Sequence, residues 1–428
     1  MFFIAFPIMF WYSLSYRTFV NLNRDELFVM TKTEIIDAAF KVWGRNYYRK
    51  TSLSQLAAEL KVSKPALYRH FFNKQALSKA MAERFFDEFS AFIQADLSKA
   101  LDAEDADEGL SSVIKSISLF FAGNVHALIF SLINIYDRNI DIRTITDNMK
   151  SRGADMNVIQ ILIKKKYSCD PVVIRLIYAS LTFIMSHFHM VNKSIESPPS
   201  EEDIKNITSV ICSTIKCGLG YCADETEIDF EKLEKQVEGM PLNAEPEIFF
   251  KAVAQAVAQA GPWDVSMNMV AEKLGLSKSS LYVHFKNKKD MLRRLFVTEV
   301  KNIIDFAKQG INLSANTAEQ LYLGLYTISV YLRARPEILV AMDWIRTRKL
   351  ELGKPDKKLE IFRLFEDVDI KLSDQLCKWP DNEKQRTFHW IIFLLVNVLT
   401  CMKPEETLKY YLHILYKFIF QGLGGFKK

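Results

Sequence analysis

A short motif occurs twice in this chain and constrains its fold more than any other feature. The motif reads SKPALYRHFFNK at Ser63–Lys74 and returns as SKSSLYVHFKNK at Ser277–Lys288. The two copies lie 214 residues apart in a chain of 428 residues. When the alignment starts at residues 56 and 270, ten of nineteen positions are identical. We therefore interpret the chain as a tandem duplication.

Each copy is expected to form the second of two short helices. Ser63 is a suitable N-cap, and Pro65 falls in the first turn, where its missing N–H costs nothing. Upstream of each copy, apolar residues repeat along one helical face: Leu53, Leu56, Ala57 and Leu60, then Met267, Val270, Ala271 and Leu274. About three residues remain between the two helices, which is the length of the turn in a helix-turn-helix.

The second helix is expected to have one buried side and one free side. At about 100° per residue, Leu67 and Phe71 lie together, whereas Pro65, Tyr68 and Arg69 point away. The first side is core, and the second is available for a binding partner.

The combined pattern T/S-x3-LA-x2-L-x-VSK-x2-LY-x-HF-x-NK resembles the DNA-binding domain of the tetracycline-repressor (TetR) family of prokaryotic transcription regulators. The resemblance covers roughly residues 31–92 and 245–307. Lys61 stands where this family usually has glycine, so the first turn is expected to be slightly strained. Gly275 keeps the usual residue in the second turn.

The resemblance implies that the free side of each second helix contacts the major groove or its phosphates. The implied contacts of the first copy are Thr51, Ser63, Lys64, Pro65, Ala66, Tyr68, Arg69, His70 and Lys74. Those of the second copy are Ser277, Lys278, Ser279, Ser280, Tyr282, Val283, His284 and Lys288. Arg69 is the best candidate for a bidentate guanine contact. A wholly structural role is the alternative for Tyr68 and His70.

Basic charge is concentrated in the two repeated regions. The net charge of the whole chain is only +5. Residues 41–79 contain nine Lys or Arg and one acid, and residues 264–301 contain eight basic and four acidic residues. Clustered basic charge on a helix-turn-helix is expected of a protein that binds phosphates.

Composition favours an all-α protein without catalytic machinery. Glycine (15 residues) and proline (12 residues) are scarce, and apolar runs with helical spacing dominate. There is no Walker A string, no GxGxxG after a strand and no recognisable nucleophile with its base. We therefore expect no enzyme activity and no cofactor.

The cysteines and histidines do not indicate a metal site. The six cysteines form no CxxC pair, and Cys212, Cys217 and Cys222 would point about 140° apart on a helix. His187 and His189 lie two residues apart and point to different faces, so we interpret them as core or pocket residues. Reduced cysteines in a cytoplasmic protein are the expectation.

The chain divides into six predicted segments. They are an N-terminal extension at 1–29, a first helix-turn-helix domain at 30–92, a first helical regulatory domain at 93–222, an acidic linker at 223–244, a second helix-turn-helix domain at 245–307 and a second helical regulatory domain at 308–428. The helices predicted within the regulatory domains are Val113–Tyr136, Met156–Tyr167, Pro171–Val191, Glu201–Gly218, Phe388–Met402 and Glu405–Phe420. Both halves end on GLG, which serves as a helix stop.

The linker and the N-terminal extension have distinctive compositions. Residues 223–247 contain nine acids and two lysines and are expected to be solvated, partly helical near 231–238, and able to reach about 65 Å when extended. Residues 1–29 begin with an apolar run that is short for a membrane span and lacks the basic region and cleavage site of a signal peptide. The segment that begins at Met30 looks like a natural start for a protein of this family. Our preferred interpretation is therefore that the start codon has been assigned too far upstream. A short membrane-associating extension is the alternative, and no stable membrane span is expected.

The helical remainder of each half resembles the family's ligand-sensing and dimerising domain. The implied partners are double-stranded DNA and a small-molecule effector whose identity the sequence does not give. Because one chain carries two DNA-binding heads, we expect an intramolecular pseudo-dimer, a repressor that reads an imperfect palindrome and is released by the effector. The four apolar terminal helices would pack together. A homodimer with four heads is the alternative assembly, and a sensing or adaptor protein that has lost DNA binding in one or both heads is the alternative function.

Overall fold

The computed structural model describes residues 31–45, 52–136, 142–168, 170–192, 194, 197–241, 248–347, 383–402 and 407–428. The predicted N-terminal extension at 1–29 lies outside these residues, as does Thr51. Within the described ranges the chain is helical, and its only extended pairing is a single antiparallel bridge between Tyr167 and Lys427. The all-α fold class is confirmed.

The first half contains ten helices among the residues described. They are α1 (Lys32–Arg45), α2 (Leu53–Glu59), α3 (Lys64–His70), α4 (Lys74–Leu101), α5 (Ala106–Gly123), α6 (Val125–Tyr136), α7 (Ile142–Lys150), α8 (Asn157–Lys166), α9 (Pro171–Val191) and α10 (Glu201–Cys217). We call α1–α3 the first head and α4–α10 the first body, although α4 begins at the head.

After one intervening helix, α11 (Phe230–Glu238), the described second half begins with the same order of three short head helices and one long helix. Its helices are α12 (Ile248–Asp264), α13 (Met267–Leu274), α14 (Lys278–His284), α15 (Lys288–Ile311), α16 (Thr317–Ala334), α17 (Pro336–Thr347), α18 (Glu383–Cys401) and α19 (Leu408–Gln421), followed by a 3-10 turn at Gly422–Phe426. We call α12–α14 the second head and α15–α19 the second body.

The single helix predicted at Val113–Tyr136 is wrong, because α5 and α6 are separate helices bent by 104°. The break falls at Asn124, whose side-chain oxygen accepts a hydrogen bond from the backbone N–H of Ala127 at 3.0 Å. This interaction caps α6 instead of continuing α5. In the second half the break falls at Arg335, directly before Pro336, and proline disfavours helical geometry in the residue that precedes it.

Two kinds of contact join each head to its body. Helices α4 and α15 begin at the heads and continue into the bodies, where they pack on α5 and α16. In addition, α1 packs on α6, and α12 packs on α17. Because α6 and α17 also contact each other, a continuous row of packed helices runs from one head to the other.

The two halves also meet through α9, α10, α18 and α19. The indole N–H of Trp390 donates a hydrogen bond to Ser180 Oγ at 3.0 Å, and both side chains are buried. The rings of Phe183 and Phe393 lie 5.2 Å apart. Both pairs join α9 of the first half to α18 of the second half.

The backbones of the two GLG segments cross where the halves meet. Gly218 and Gly422 both have φ +56° and both cap their helices, as predicted for helix stops. The N–H of Leu219 donates to the carbonyl of Ile419 at 2.8 Å. A Cβ on Gly218 would lie 2.4 Å from the Ile419 oxygen, and one on Gly422 would lie 2.6 Å from the Ile215 oxygen. Only glycine permits this approach.

The prediction of a solvated, extended linker is wrong for α11, although the helix was predicted near its observed position. Leu233 and Val237 are buried, and α11 packs on α16. The buried Glu234 accepts hydrogen bonds from Tyr322 Oη at 2.6 Å and Lys409 Nζ at 3.0 Å. Burial raises the pKa of Glu234, but hydrogen bonds from Tyr322, His413 and Lys409 bring it below its usual value. The acidic composition of this segment suggested exposure to solvent, but the segment contains an amphipathic helix whose carboxylates have specific partners.

Among the residues described, α9 is long and apolar enough to cross a membrane, and the bent pair α5 and α6 passes the same test together. Most of the apolar stretch of α9 is buried inside the protein, where it packs on α5, α10, α18 and α19. Packing between the two halves therefore accounts for the apolar character of α9.

Candidate nucleic-acid interface

The first helix of each helix-turn-helix is held by a capped start and an apolar face. In α2, Ser52 Oγ accepts from the N–H of Gln55 at 3.1 Å, and Gln55 Oε1 accepts from the N–H of Ser52 at 2.7 Å. This reciprocal pair is a capping box. The predicted apolar face is confirmed, because Leu53, Leu56 and Ala57 are buried.

The turn between the helices needs a left-handed residue in both heads. Lys61 has φ +55°, and no other non-glycine residue among those described has a positive φ. At the matching position of the second head, Gly275 has φ +65°. The N–H groups of Val62 and Leu276 return to the carbonyls of Ala57 and Ala271 at 3.0 and 2.9 Å. The predicted strain at Lys61 is confirmed, since a side chain with a Cβ disfavours this conformation.

We expect Lys61→Gly to raise the free energy of unfolding by about 1 kcal/mol, because glycine adopts this φ without a steric penalty. Urea unfolding followed by circular dichroism measures the change. Lys61→Ala is the matched control, since it removes the charge but keeps the Cβ, and it should leave stability nearly unchanged. A Lys61→Gly protein no more stable than Lys61→Ala would contradict the strained turn.

The second helices, α3 and α14, are anchored in the same way. Ser63 Oγ accepts from the N–H of Ala66 at 3.2 Å, and Ser277 Oγ accepts from the N–H of Ser280 at 3.1 Å. Leu67 and Leu281 are completely buried. The hydroxyls of Ser63 and Ser277 therefore position their helices, and DNA contact by these two serines stays a prediction.

Most of the predicted DNA-contacting side chains lie on the free face of these helices. Those that are exposed are Lys64, Pro65, Tyr68 and Arg69 in the first head, and Lys278, Ser279, Tyr282, Val283 and His284 in the second. Those that are partly buried are Ala66, His70, Lys74, Ser280 and Lys288. Tyr68 is 47% exposed and Tyr282 is 46% exposed, which favours a surface role over a core role for both tyrosines.

At the starts of α4 and α15, a lysine directly follows the capping asparagine. Asn73 Oδ1 caps α4 by accepting from the N–H of Ala76 at 2.7 Å, and Lys74 follows it. Burial lowers the pKa of Lys74. A helix start with an adjacent lysine favours an anion such as a phosphate group.

The second head carries an acid at the matching helix start. Asp290 occupies the position equivalent to Ala76 and accepts a hydrogen bond from the N–H of Lys286 at 3.1 Å. Its carboxylate also contacts Arg294 at 3.3 Å. The second head is therefore less favourable for phosphate than the first at this point.

Among the described residues of the two heads, one exposed aromatic residue had no predicted role. Phe72 is 77% exposed and directly follows the capping residue of α3. The second copy has Lys286 at this position. The available sequence signal was an aromatic residue aligned with a lysine beside a helix that is predicted to contact DNA. Phe72 is exposed next to the end of that helix.

Two segments of the chain match a known protein family. Residues 35–81 and 250–295 each match the family model described as bacterial regulatory proteins, tetR family. The HTH-type transcriptional repressor ComR of Escherichia coli (strain K12) is 27% identical over 136 residues, which are 32% of this chain and 64% of that protein. A crystal structure of the TetR family transcriptional regulator PfmR from Thermus thermophilus covers 42% of this chain and 96% of its own, with 18% identity and a TM-score of 0.27.

Proposed function

Because the chain belongs to the tetR family of bacterial regulatory proteins and carries its DNA-binding domain twice, we propose that it is a cytoplasmic transcriptional repressor released from DNA by a small molecule. The observation that carries this proposal is the pair of capped helices α3 and α14, each with a buried leucine side and an exposed polar side. Neither exposed side is covered by another helix of the described chain, so both are available for the major groove.

A single chain supplies the two heads that a family dimer would supply. The four helices α9, α10, α18 and α19 pack together, and the two GLG segments cross at Gly218 and Gly422. This contact supports an intramolecular pseudo-dimer in which two different heads read one operator. The operator of such a protein is an imperfect palindrome with half-sites about 34 to 36 Å apart.

The packed row of α1, α6, α17 and α12 supports the proposed release. The rings of Phe40 in α1 and Phe130 in α6 lie 5.1 Å apart, so a displacement of α6 reaches the first head directly. A ligand that binds one arrangement of α6 and α17 better than another shifts the separation of the heads. A ligand without that preference changes nothing.

We expect Lys64→Ala to weaken binding to every duplex and to lower the salt slope of log K by about 0.9, because one phosphate contact is lost. Fluorescence anisotropy on promoter DNA from the genomic neighbourhood of the protein, at several salt concentrations, measures both effects. Lys205→Ala is the control, since Lys205 is an exposed lysine on α10 of the first body. Equal affinity and slope for Lys64→Ala and Lys205→Ala would contradict the proposed interface.

The second candidate is a sensing or adaptor protein in which one head no longer binds DNA. The exposed Val283 and the acid Asp290 in the second head favour this version over loss in the first head. The matching variant Lys278→Ala separates the two candidates. If the second head binds DNA, Lys278→Ala lowers the salt slope as Lys64→Ala does; if it does not, the slope is unchanged.

A further inference from the structure

One core position is filled by different chemistry in the two bodies. Helices α4 and α15 begin at aligned lysines, so Phe85 of the first body corresponds to Glu299 of the second. Helices α5 and α16 are both 18 residues long, so Phe120 corresponds to Tyr331. The first body therefore has two aromatic rings, Phe85 and Phe120, where the second body has the carboxylate of Glu299 and the phenol of Tyr331.

A ring contact shared by both bodies supports this correspondence. Phe92 and Phe120 lie 5.5 Å apart in the first body. The corresponding residues of the second body, Phe306 and Tyr331, lie 6.1 Å apart. The surrounding helices are thus placed alike, and the difference at Phe85 and Glu299 is one of chemistry.

The first body is apolar at this place. The ring of Phe85 lies 5.6 Å from that of Phe130 and 6.4 Å from those of Phe120 and Phe121. Such a cluster needs no polar partner and gains dispersion energy from each contact.

The second body buries a carboxylate at this place. Glu299 is 2% exposed, and its Oε2 accepts a hydrogen bond from Tyr331 Oη at 2.8 Å. The guanidinium of Arg335 lies over the Tyr331 ring, 4.0 Å from its centre. Burial raises the pKa of Glu299, while Tyr331 and Arg335 lower it in part. The other carboxylate oxygen, Oε1, is buried and has no hydrogen-bond partner among the described residues.

A buried carboxylate oxygen without a partner is costly, and native proteins avoid it unless something else satisfies it. We propose that the second body, unlike the first, binds a small molecule that donates a hydrogen bond from an N–H or O–H group to Glu299 Oε1. This inference rests on the proposed function, in which a small molecule bound in a body controls the heads. Glu299 lies eleven residues after Lys288 on α15, about 16 Å along the helix that begins at the second head.

Binding is tested first on the full chain without DNA. Benzylamine, benzyl alcohol and toluene share one ring and differ in charge and hydrogen-bond donors, so calorimetric titration with these three probes separates the sources of affinity. We expect benzylamine and benzyl alcohol to bind more tightly than toluene. Tighter binding of benzylamine than of benzyl alcohol would identify a cationic ligand. Equal binding of all three probes, or binding of none at millimolar concentration, would overturn the proposal.

Glu299→Gln should weaken benzylamine binding by about tenfold or more, because a charge-assisted hydrogen bond is lost. Toluene binding should not change. Phe85→Leu in the first body is the matched control and should leave benzylamine binding intact. Benzylamine affinity that is indifferent to Glu299→Gln, or that falls equally in Phe85→Leu, contradicts a donor site at Glu299.

The double variant Glu299→Phe with Tyr331→Phe recreates the first body's pair and guards against a misfolded single variant. We expect it to fold and to lose benzylamine binding, because an apolar ring replaces the carboxylate that accepts the hydrogen bond. Retained binding in this variant would refute the site. Release is tested separately by adding benzylamine to the complex of the protein with promoter DNA. If benzylamine binds but does not release the DNA, the ligand site at Glu299 is supported and control of DNA binding through this site is rejected.

Discussion

Alanine at Gly218 or Gly422 is expected to lower the free energy of unfolding by about 2 to 6 kcal/mol. Two penalties combine at each position. Backbone with φ +56° costs about 1 to 3 kcal/mol for a residue with a Cβ, and the added atom would lie within 2.4 to 2.7 Å of backbone atoms from the other half. Since those atoms belong to the crossing segments, overpacking adds about 1 to 3 kcal/mol.

Two other glycines separate these penalties. Gly275 has φ +65°, but a Cβ added there would have no atom within 4 Å, so Gly275→Ala should cost only the backbone penalty, about 1 kcal/mol. Gly123 ends α5 and also has nothing within 4 Å, so Gly123→Ala should be neutral or stabilising by up to about 1 kcal/mol. Urea unfolding followed by circular dichroism ranks the four variants. Equal losses for Gly218→Ala and Gly275→Ala would show that the halves do not cross so closely.

Arg69→Val is expected to weaken binding to the natural operator by about tenfold to a hundredfold, because one bidentate base contact contributes about 1 to 3 kcal/mol. Valine is the residue at the matching position of the second head, Val283. The variant therefore makes the two heads alike at the position where they differ most. The variant should no longer distinguish between bases at one base pair of the half-site that the first head contacts. Recognition of the other half-site should not change.

Footprinting and anisotropy with single-base operator variants measure this loss. The reciprocal variant Val283→Arg is the control and should favour a more symmetric operator. Light scattering of the complex gives the number of chains on each site. A complex containing two chains of 49.5 kDa on a perfectly symmetric site would reject the single-chain pseudo-dimer and leave the dimer with four heads.

The heads could be derived from the sequence because their structure depends on local interactions. Ser63 caps its helix three residues ahead, Asn73 does the same for α4, and Leu67 and Phe71 repeat at helical spacing. Lys61 in a position that needs glycine predicted the strained turn that the backbone shows. The helix at Pro171–Val191 was bounded correctly by Asp170, whose side chain caps it, and by Pro171 in its first turn.

The tertiary structure decided what depends on residues distant in the chain. The acidic composition of residues 223–247 indicated solvent exposure, but Tyr322 and Lys409 bind Glu234 and hold α11 against the second body. The GLG segments predicted a helix stop, but only the meeting of both halves shows why Gly218 and Gly422 exclude a Cβ. The difference between Phe85 and Glu299 can likewise be understood only from the residues that surround each of them in space. Capping and periodicity act within a few residues, whereas burial and pairing of charge depend on which segments the fold brings together.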